Sequence, residues 1–195
     1  MSIDLNNFRN DNGLIPAKTV AIIQMRLRSG DDYLEGVLKR TRNGDAYTLD
    51  IEYTVVEGQY ATQKFNGYPL VQGETEGQKG MVLRTMSLLR GINDSAKFLD
   101  PNDQSPEACA QRKIEYRDLD YRRFLGEIGI EKGKDGFPDR NILLRAITRD
   151  MPQWGGRPPI DQPPPSGGGS TSGAPPSGAA PSGVMPASIE KPKWA

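Results

Sequence analysis

The sequence predicts a mainly β domain with one main helix (α+β), its elements in the order β-β-β-α-β-β, followed by a disordered C-terminal tail. Three observations carry this. Over residues 47–55, Tyr47, Leu49, Ile51, Tyr53 and Val55 alternate with Thr48, Asp50, Glu52 and Thr54, the period of a half-buried strand whose successive side chains point to opposite faces. Over residues 77–98 the period changes. There Met81, Val82, Thr85, Leu88, Leu89 and Ile92 recur at spacings of three and four, which marks an amphipathic helix with that stripe as its buried face. From Arg157 onward, the last 39 residues hold 10 of the 16 prolines, and Pro-Ser-Gly recurs at Pro165, Pro176 and Pro181. Such a composition cannot bury enough apolar surface to offset the entropy of ordering.

In chain order, residues 1–16 are polar and rich in Asn and Asp, and read as an N-terminal arm. The folded domain is expected over residues 17–156. Its first strand, 18–28, places Ala21, Ile23, Met25 and Leu27 on one face and Gln24, Arg26 and Arg28 on the other, so its outer half is basic. Residues 29–45 read as a long loop with a basic tip, Lys39, Arg40 and Arg42, beside the turn signal Asn43-Gly44. The second strand follows, is interrupted at Glu57-Gly58, and leads into a third over residues 60–68. Gly91 and Asn93-Asp94 are expected to weaken or end the helix. Ser105-Pro106-Glu107 marks the start of a short second helix with proline at its first position. Cys109, within it, is expected to be at least partly buried. Residues 122–131 alternate again, residues 132–139 form a turn with Gly133, Gly136 and Pro138, and residues 140–148 form the last strand.

This order matches an OB-like barrel, a five-stranded Greek-key barrel; a generic α+β sheet would give a similar string. About 150 residues suffice for one core.

Composition narrows the chemistry. Lys+Arg and Asp+Glu are both 25, so a basic site must be a local cluster rather than a property of the whole chain. The chain has no histidine and one cysteine, which removes the commonest general base and metal ligand and the Cys-His and Ser-His pairs. No cofactor is implied and no enzyme is expected. The start of the chain lacks the apolar segment of a signal peptide, and no apolar run reaches membrane-span length; a cytoplasmic protein is expected.

In OB folds that bind single strands, the ligand crosses the second and third strands and is gripped by the loops joining strands one to two and four to five. Here those loops carry the clustered cations: Lys39, Arg40 and Arg42 in the first, and Lys132, Lys134 and Arg140 around the second, where Phe137 adds an aromatic tip. On the third strand Tyr60, Thr62, Lys64, Asn66 and Tyr68 share a parity, giving a candidate platform with Phe65 facing inward. Tyr47 and Tyr53 fall with apolar neighbours and are expected in the core, while Asp50 and Glu52 make the opposite face acidic. The candidate nucleic-acid-binding residues are therefore Arg26, Arg28, Lys39, Arg40, Arg42, Tyr60, Lys64, Tyr68, Lys132, Lys134, Phe137 and Arg140. Lys193 and Trp194, at the tip of the tail, form a candidate partner-docking motif. Asp118 and Asp120, with Glu115 nearby, are the only candidates for a Mg²⁺-dependent nuclease, and no second motif supports them. A third reading is a protein-interaction or structural module with the tail as tether; oligomerisation is compatible with it.

Several segments resemble a family of tailed-phage and prophage proteins, long known as a domain of unknown function and now often regarded as single-stranded-DNA-binding. They are Lys64-Phe65-Asn66-Gly67-Tyr68, Leu88-Leu89-Arg90-Gly91-Ile92 in the helix, Tyr121-Arg122-Arg123-Phe124-Leu125-Gly126-Glu127-Ile128-Gly129-Ile130-Glu131, and Asp139-Arg140-Asn141. The likeness covers roughly residues 16–150 and is one of pattern and order. It implies an OB-type fold and a role with single-stranded DNA, or RNA, in phage replication and recombination. Single-strand binders of this kind commonly end in an acidic tail that recruits replication or recombination proteins. Here the flexible linker fits, but the tip sets Lys191 and Lys193 against Glu190 and departs from the pattern.

Overall fold

A computed structural model of the chain describes residues 13–30, 33–134 and 136–160. It is mainly β with one main helix: β1 Thr19–Leu27, β2 Leu38–Arg40, β3 Ala46–Leu49, β4 Ile51–Val55, β5 Lys64–Gly67, β6 Leu70–Gly73, helix α1 Glu76–Ala96, helix α2 Pro106–Gln111, β7 Arg123–Glu131 and β8 Arg140–Ala146. Two antiparallel sheets result, one of order β5-β4-β1-β7-β8 and one of order β2-β3-β6. The outer strands β5 and β8 of the larger sheet approach each other, so that it curls into a half-barrel.

Register explains the core. Ile23 pairs with Val55, Met25 with Tyr53 and Leu27 with Ile51 across β1 and β4, Tyr53 with Phe65 across β4 and β5, and Ile23 with Phe124 across β1 and β7. All of these are buried, because the period of two sends one parity of every strand inward. The Tyr53 ring lies 5.1 Å from Phe65 and 6.4 Å from Phe124 between centroids, and burial pushes its phenol far above the ordinary value. Tyr47 is only half-buried and packs against the edge of this core.

Four expectations about elements are corrected. The second strand is not continuous: Asp50 separates β3 from β4, and the chain passes there from the small sheet to the large one. Residues 38–40, expected in a loop, pair with β3 as β2, and Gly44 (φ 77°) supplies the left-handed residue of the connecting turn. The third strand is β5, Lys64–Gly67, and then β6, Leu70–Gly73; residues 58–63 make a turn in which Thr62 has φ 72°. Helix α1 runs unbroken to Ala96. Gly91 lies beside β8, where an added Cβ would come within 3.3 Å of Ala146, and Asn93 and Asp94 are buried rather than helix-ending.

Thr75 and Gln78 form a reciprocal capping box at the start of α1. Only the second half of its apolar stripe is buried, at Thr85, Leu89 and Ile92, whereas Met81 is 54 % exposed. Helix α2 begins with Ser105 as N-cap and proline in its first turn, as expected. Cys109 on it is exposed, contrary to expectation.

A second, smaller cluster covers the outer face of β1 and β7. Leu125, Ile147 and Trp154 are buried there, with Val20, Ile22, Phe98, Met151 and Ile160 packed around them. The Trp154 indole donates to the Arg157 carbonyl at 2.7 Å. Residues 157–160, assigned to the tail by composition, are thus part of the fold. The expected arm over residues 1–16 is corrected at its end: Ile15 is buried in the core, its N–H donating to Asn141 Oδ1 at 2.8 Å and its carbonyl accepting from Asn141 Nδ2 at 2.7 Å. Residues 1–12 and the tail from residue 161 lie outside the described residues.

A Cβ on Gly67 would meet the Tyr53 ring at 2.8 Å, and that ring is held between two others. Gly67→Ala is therefore expected to destabilise the protein by about 1–3 kcal/mol in urea unfolding. Gly80→Ala, in open space on α1, is expected to stabilise it by up to about 1 kcal/mol.

Candidate nucleic-acid interface

The parity that fills the core also sets the outer face. Two cross-strand rows cross it: Arg123, Gln24, Thr54 and Lys64 in one, and Arg26, Glu52 and Asn66 in the other. Arg28, just past the end of β1, reaches into the second row, donating to Glu52 Oε2 at 3.0 Å and to Asn66 Oδ1 at 3.1 Å. Lys64 Nζ donates to Glu52 Oε1 at 2.8 Å. Along these two rows four cations, Arg26, Arg28, Lys64 and Arg123, thus meet one carboxylate, Glu52; Glu127, farther along the same face of β7, pairs with Arg145 at 2.7 Å. Lys64 and Arg28 together hold the Glu52 carboxyl below its ordinary range, and the bond to Glu52 raises the Arg28 guanidinium.

Tyr121 borders the face and is exposed. The Arg26 guanidinium stands 5.9 Å from its ring centroid, a cation–π contact, and Gln24 Nε2 donates to its carbonyl at 3.3 Å. Tyr121 adopts φ 58°, unusual for a side chain with a Cβ. Asp120 fixes that turn: one carboxylate oxygen accepts from Leu27 N at 2.8 Å and from Tyr121 N at 3.1 Å. Among the described residues, neither Arg26 nor Arg123 meets a carboxylate.

The structure separates the candidates read from the sequence. Arg26, Arg28 and Lys64 come together on this face, and the exposed Tyr68 follows β5 at its edge. Tyr60 does not join them; it lies in the turn before β5 and packs against the core. Lys39, its side chain 45 % exposed, pairs with Asp50 at 3.1 Å, stands 5.7 Å from the Tyr33 ring centroid, and is raised above its ordinary value first by Asp50 and then by Tyr33. Asp50, expected on an acidic outer face, is buried; Tyr33 Oη also donates to it, at 3.2 Å. Arg40 closes its own turn by donating to the Gly44 carbonyl at 2.9 Å, and Arg42 is exposed at that tip.

The second basic loop stands apart. Gln24 pairs with Arg123 but Thr19 with Ile128, so the β7–β8 connection is at the other end of β1, about 25 Å from Arg123 at the usual rise per residue. The Trp154 cluster covers the outer face between them. In that loop Lys132 pairs with Asp139 and Arg140 with Glu131, each at 2.6 Å. Lys134 and Phe137 are exposed, Phe137 at 76 %. Lys193 and Trp194 lie outside the described residues.

The carboxylates weighed for a nuclease are engaged with backbone: Asp118 accepts from Glu115 N at 2.9 Å, and Asp120 holds the turn described above. Among the described residues, no three metal-ligating side chains are grouped. No helix there is long and apolar enough to cross a membrane.

No model of a known family matches the chain, and no curated protein does. Sequence reasoning missed Gln24, Tyr121 and Arg123. The run Tyr121-Arg122-Arg123 was the available signal, an aromatic followed by two cations at the start of a strand.

Because the folded state depresses Glu52, the stabilisation it provides is present above the unfolded-state value and is lost as pH falls through the folded one. Glu52→Gln is expected to cost up to about 1 kcal/mol at neutral pH, the range of solvent-screened pairs. In urea titrations at successively lower pH the two proteins should converge. A constant gap would mean that the pairs do not contribute.

Proposed function

We propose that this chain is a non-enzymatic single-stranded-DNA-binding protein whose half-barrel is of the OB type. The observation that carries the proposal is the pair of cross-strand rows on the outer face of β1, β4, β5 and β7, where four cations meet one carboxylate with Tyr121 and Tyr68 at the borders, on a chain of zero formal net charge. Guanidinium and ammonium groups attract phosphates, and exposed rings offer stacking surfaces that unpaired bases can use. Gln24 and Asn66 add neutral donors and acceptors. The sheet order β5-β4-β1-β7-β8 supports the OB assignment, and in barrels of that type the single-strand site lies on the second and third strands, here β4 and β5. The resemblance to phage proteins supports a role in phage replication or recombination in the host cytoplasm, with the tail as a tether to partner enzymes.

On this reading the single strand crosses β5 and β4 and continues over β1 toward Tyr121 and Arg123, rather than running between the two basic loops. Glu52 competes with phosphate for Arg28 and Lys64, so binding exchanges internal ion pairs for external ones.

Fluorescence anisotropy with labelled oligo-dT over a range of salt tests this. Binding is expected to weaken linearly on a log–log scale, with a slope of about −0.7 per phosphate contact for a single strand. Arg26→Ala and Arg123→Ala should each weaken binding and flatten the slope by roughly that amount. Tyr121→Ala should cost about 1–3 kcal/mol with the slope unchanged. Glu52→Gln should bind more tightly than the parent. No binding at low salt and micromolar protein would sink the proposal, and duplex bound as well as oligo-dT would remove its single-strand character.

A further inference from the structure

Among the described residues Phe137 is the most exposed large apolar side chain, at 76 %, and the β7–β8 connection presents it in a fixed pose. Its N–H donates to the Lys134 carbonyl at 3.0 Å, and Gly133 N donates to Asp139 Oδ1 at 3.0 Å. Gly133 lies so close to the Phe137 carbonyl that a Cβ there would overlap it. Lys132 pairs with Asp139 and Arg140 with Glu131. These charges cancel, so attraction for a polyanion does not account for the ring. An aromatic knob held this way costs little further ordering when a partner covers it.

The same chain carries a matching recess. A cleft of about 880 Å³ lies between the second half of α1, the segment after α2 and the start of the β2 hairpin, a volume in the range of binding pockets. Val37, Leu89 and Leu119 give it a buried apolar floor, and Met86 and Ile114 line it further. The guanidiniums at its rim are engaged: Arg112 and Arg90 lie 2.8 Å and 3.6 Å from Asp94, and Arg117 donates to the Glu35 backbone carbonyl at 2.6 Å. The Glu35 carboxylate, also at the rim and exposed, meets no cation among the described residues. Beside Phe137, the exposed Lys134 meets no carboxylate among them. Knob and cleft are complementary in both polarity and charge.

They stand at opposite ends of the strands. Leu27, the last residue of β1, borders the cleft end of the domain together with Val37 and Arg117. At the other end Thr19, the first, pairs with Ile128 just before the β7–β8 connection. The length of β1, roughly 25 Å at the usual rise per residue, separates them, so a chain cannot seat its own Phe137 in its own cleft. A second copy can.

We propose that Phe137 of one copy docks in the cleft of another, with Lys134 against the Glu35 of that copy. The contact joins two different surfaces. Each added copy therefore leaves one knob and one cleft free, which builds a row or a ring rather than a closed pair.

Sedimentation velocity and light scattering of the full chain, without DNA, test this. One hairpin tip per contact is at the small end of specific interfaces, so the average mass should climb past two chains over roughly 10–500 µM protein. Phe137→Ser and Met86→Glu should each stay monomeric over that range. Mixed in equal amounts they should give a two-chain species and nothing larger, because one supplies the cleft and the other the knob. If Met86→Glu lowers the thermal midpoint, Glu35→Lys should weaken association several-fold, and adding Lys134→Glu to the same chain should restore it. Leu83→Glu, 70 % exposed and outside the cleft, should associate as the parent does. A parent that stops at one or two chains, undiminished association of Phe137→Ser, a mixture that stays monomeric, or a charge reversal that restores nothing would each overturn the proposal. With DNA absent, none of these outcomes depends on the open face.

Discussion

Asp50 is the point on which the architecture turns. It sits where one stretch of chain leaves the small sheet and enters the large one, and its carboxylate is buried there. A lone buried carboxylate is strongly unfavourable. This one accepts from Lys39 and Tyr33, and Arg28 lies 3.8 Å from its other oxygen. Its backbone carbonyl also accepts from Arg28 N. Lys39 comes from β2, Tyr33 from the β1–β2 connection and Arg28 from the end of β1. A single side chain thus gathers both sheets and the connection between them.

The same hub decides which cations remain available. Lys39 is spent on it, and Arg28 is divided between Asp50, Glu52 and Asn66. Under the proposed function, pairing of this kind reduces the ordering cost when a polyanion replaces the carboxylate. It would also set a threshold, because phosphate must outcompete Glu52 before Arg28 and Lys64 contribute. Among the described residues Arg26 and Arg123 meet no carboxylate, so the same proposal gives them the first contacts.

Much of the fold was legible because alternation assigns each residue to a face wherever one face is buried. Tyr53 and Phe65 inward and Arg26 and Lys64 outward all follow from parity alone. Asp50 did not, since the alternation runs through it unbroken while the strand changes sheets. Tyr60 shares its parity with Lys64 but not its strand: the left-handed Thr62 lies between them and breaks the rule that parity depends on. Met81 has the spacing of the buried stripe, yet the first turns of α1 leave it exposed; periodicity gives the direction of a face, not how far the covering surface extends. The partnership of Gln24 with Arg123 joins positions 99 residues apart, and no local pattern encodes such a register. The basic loops were the most visible charge clusters in the sequence. Most of their cations are nonetheless engaged locally, with Asp50, Gly44, Asp139 or Glu131.

The Trp154 cluster places a temporal condition on the domain. β1 is synthesised before the other strands of the domain, and its residues Val20 and Ile22 are covered by Trp154 and Ile160 from the opposite end of the described chain. Until those residues leave the ribosome, the outer side of the central strand remains wet and apolar. The long-range pairing of β1 with β7 must wait almost as long. A nascent chain of this topology therefore passes through a late stage with an exposed greasy strand, the kind of species that chaperones hold and that aggregates when they do not.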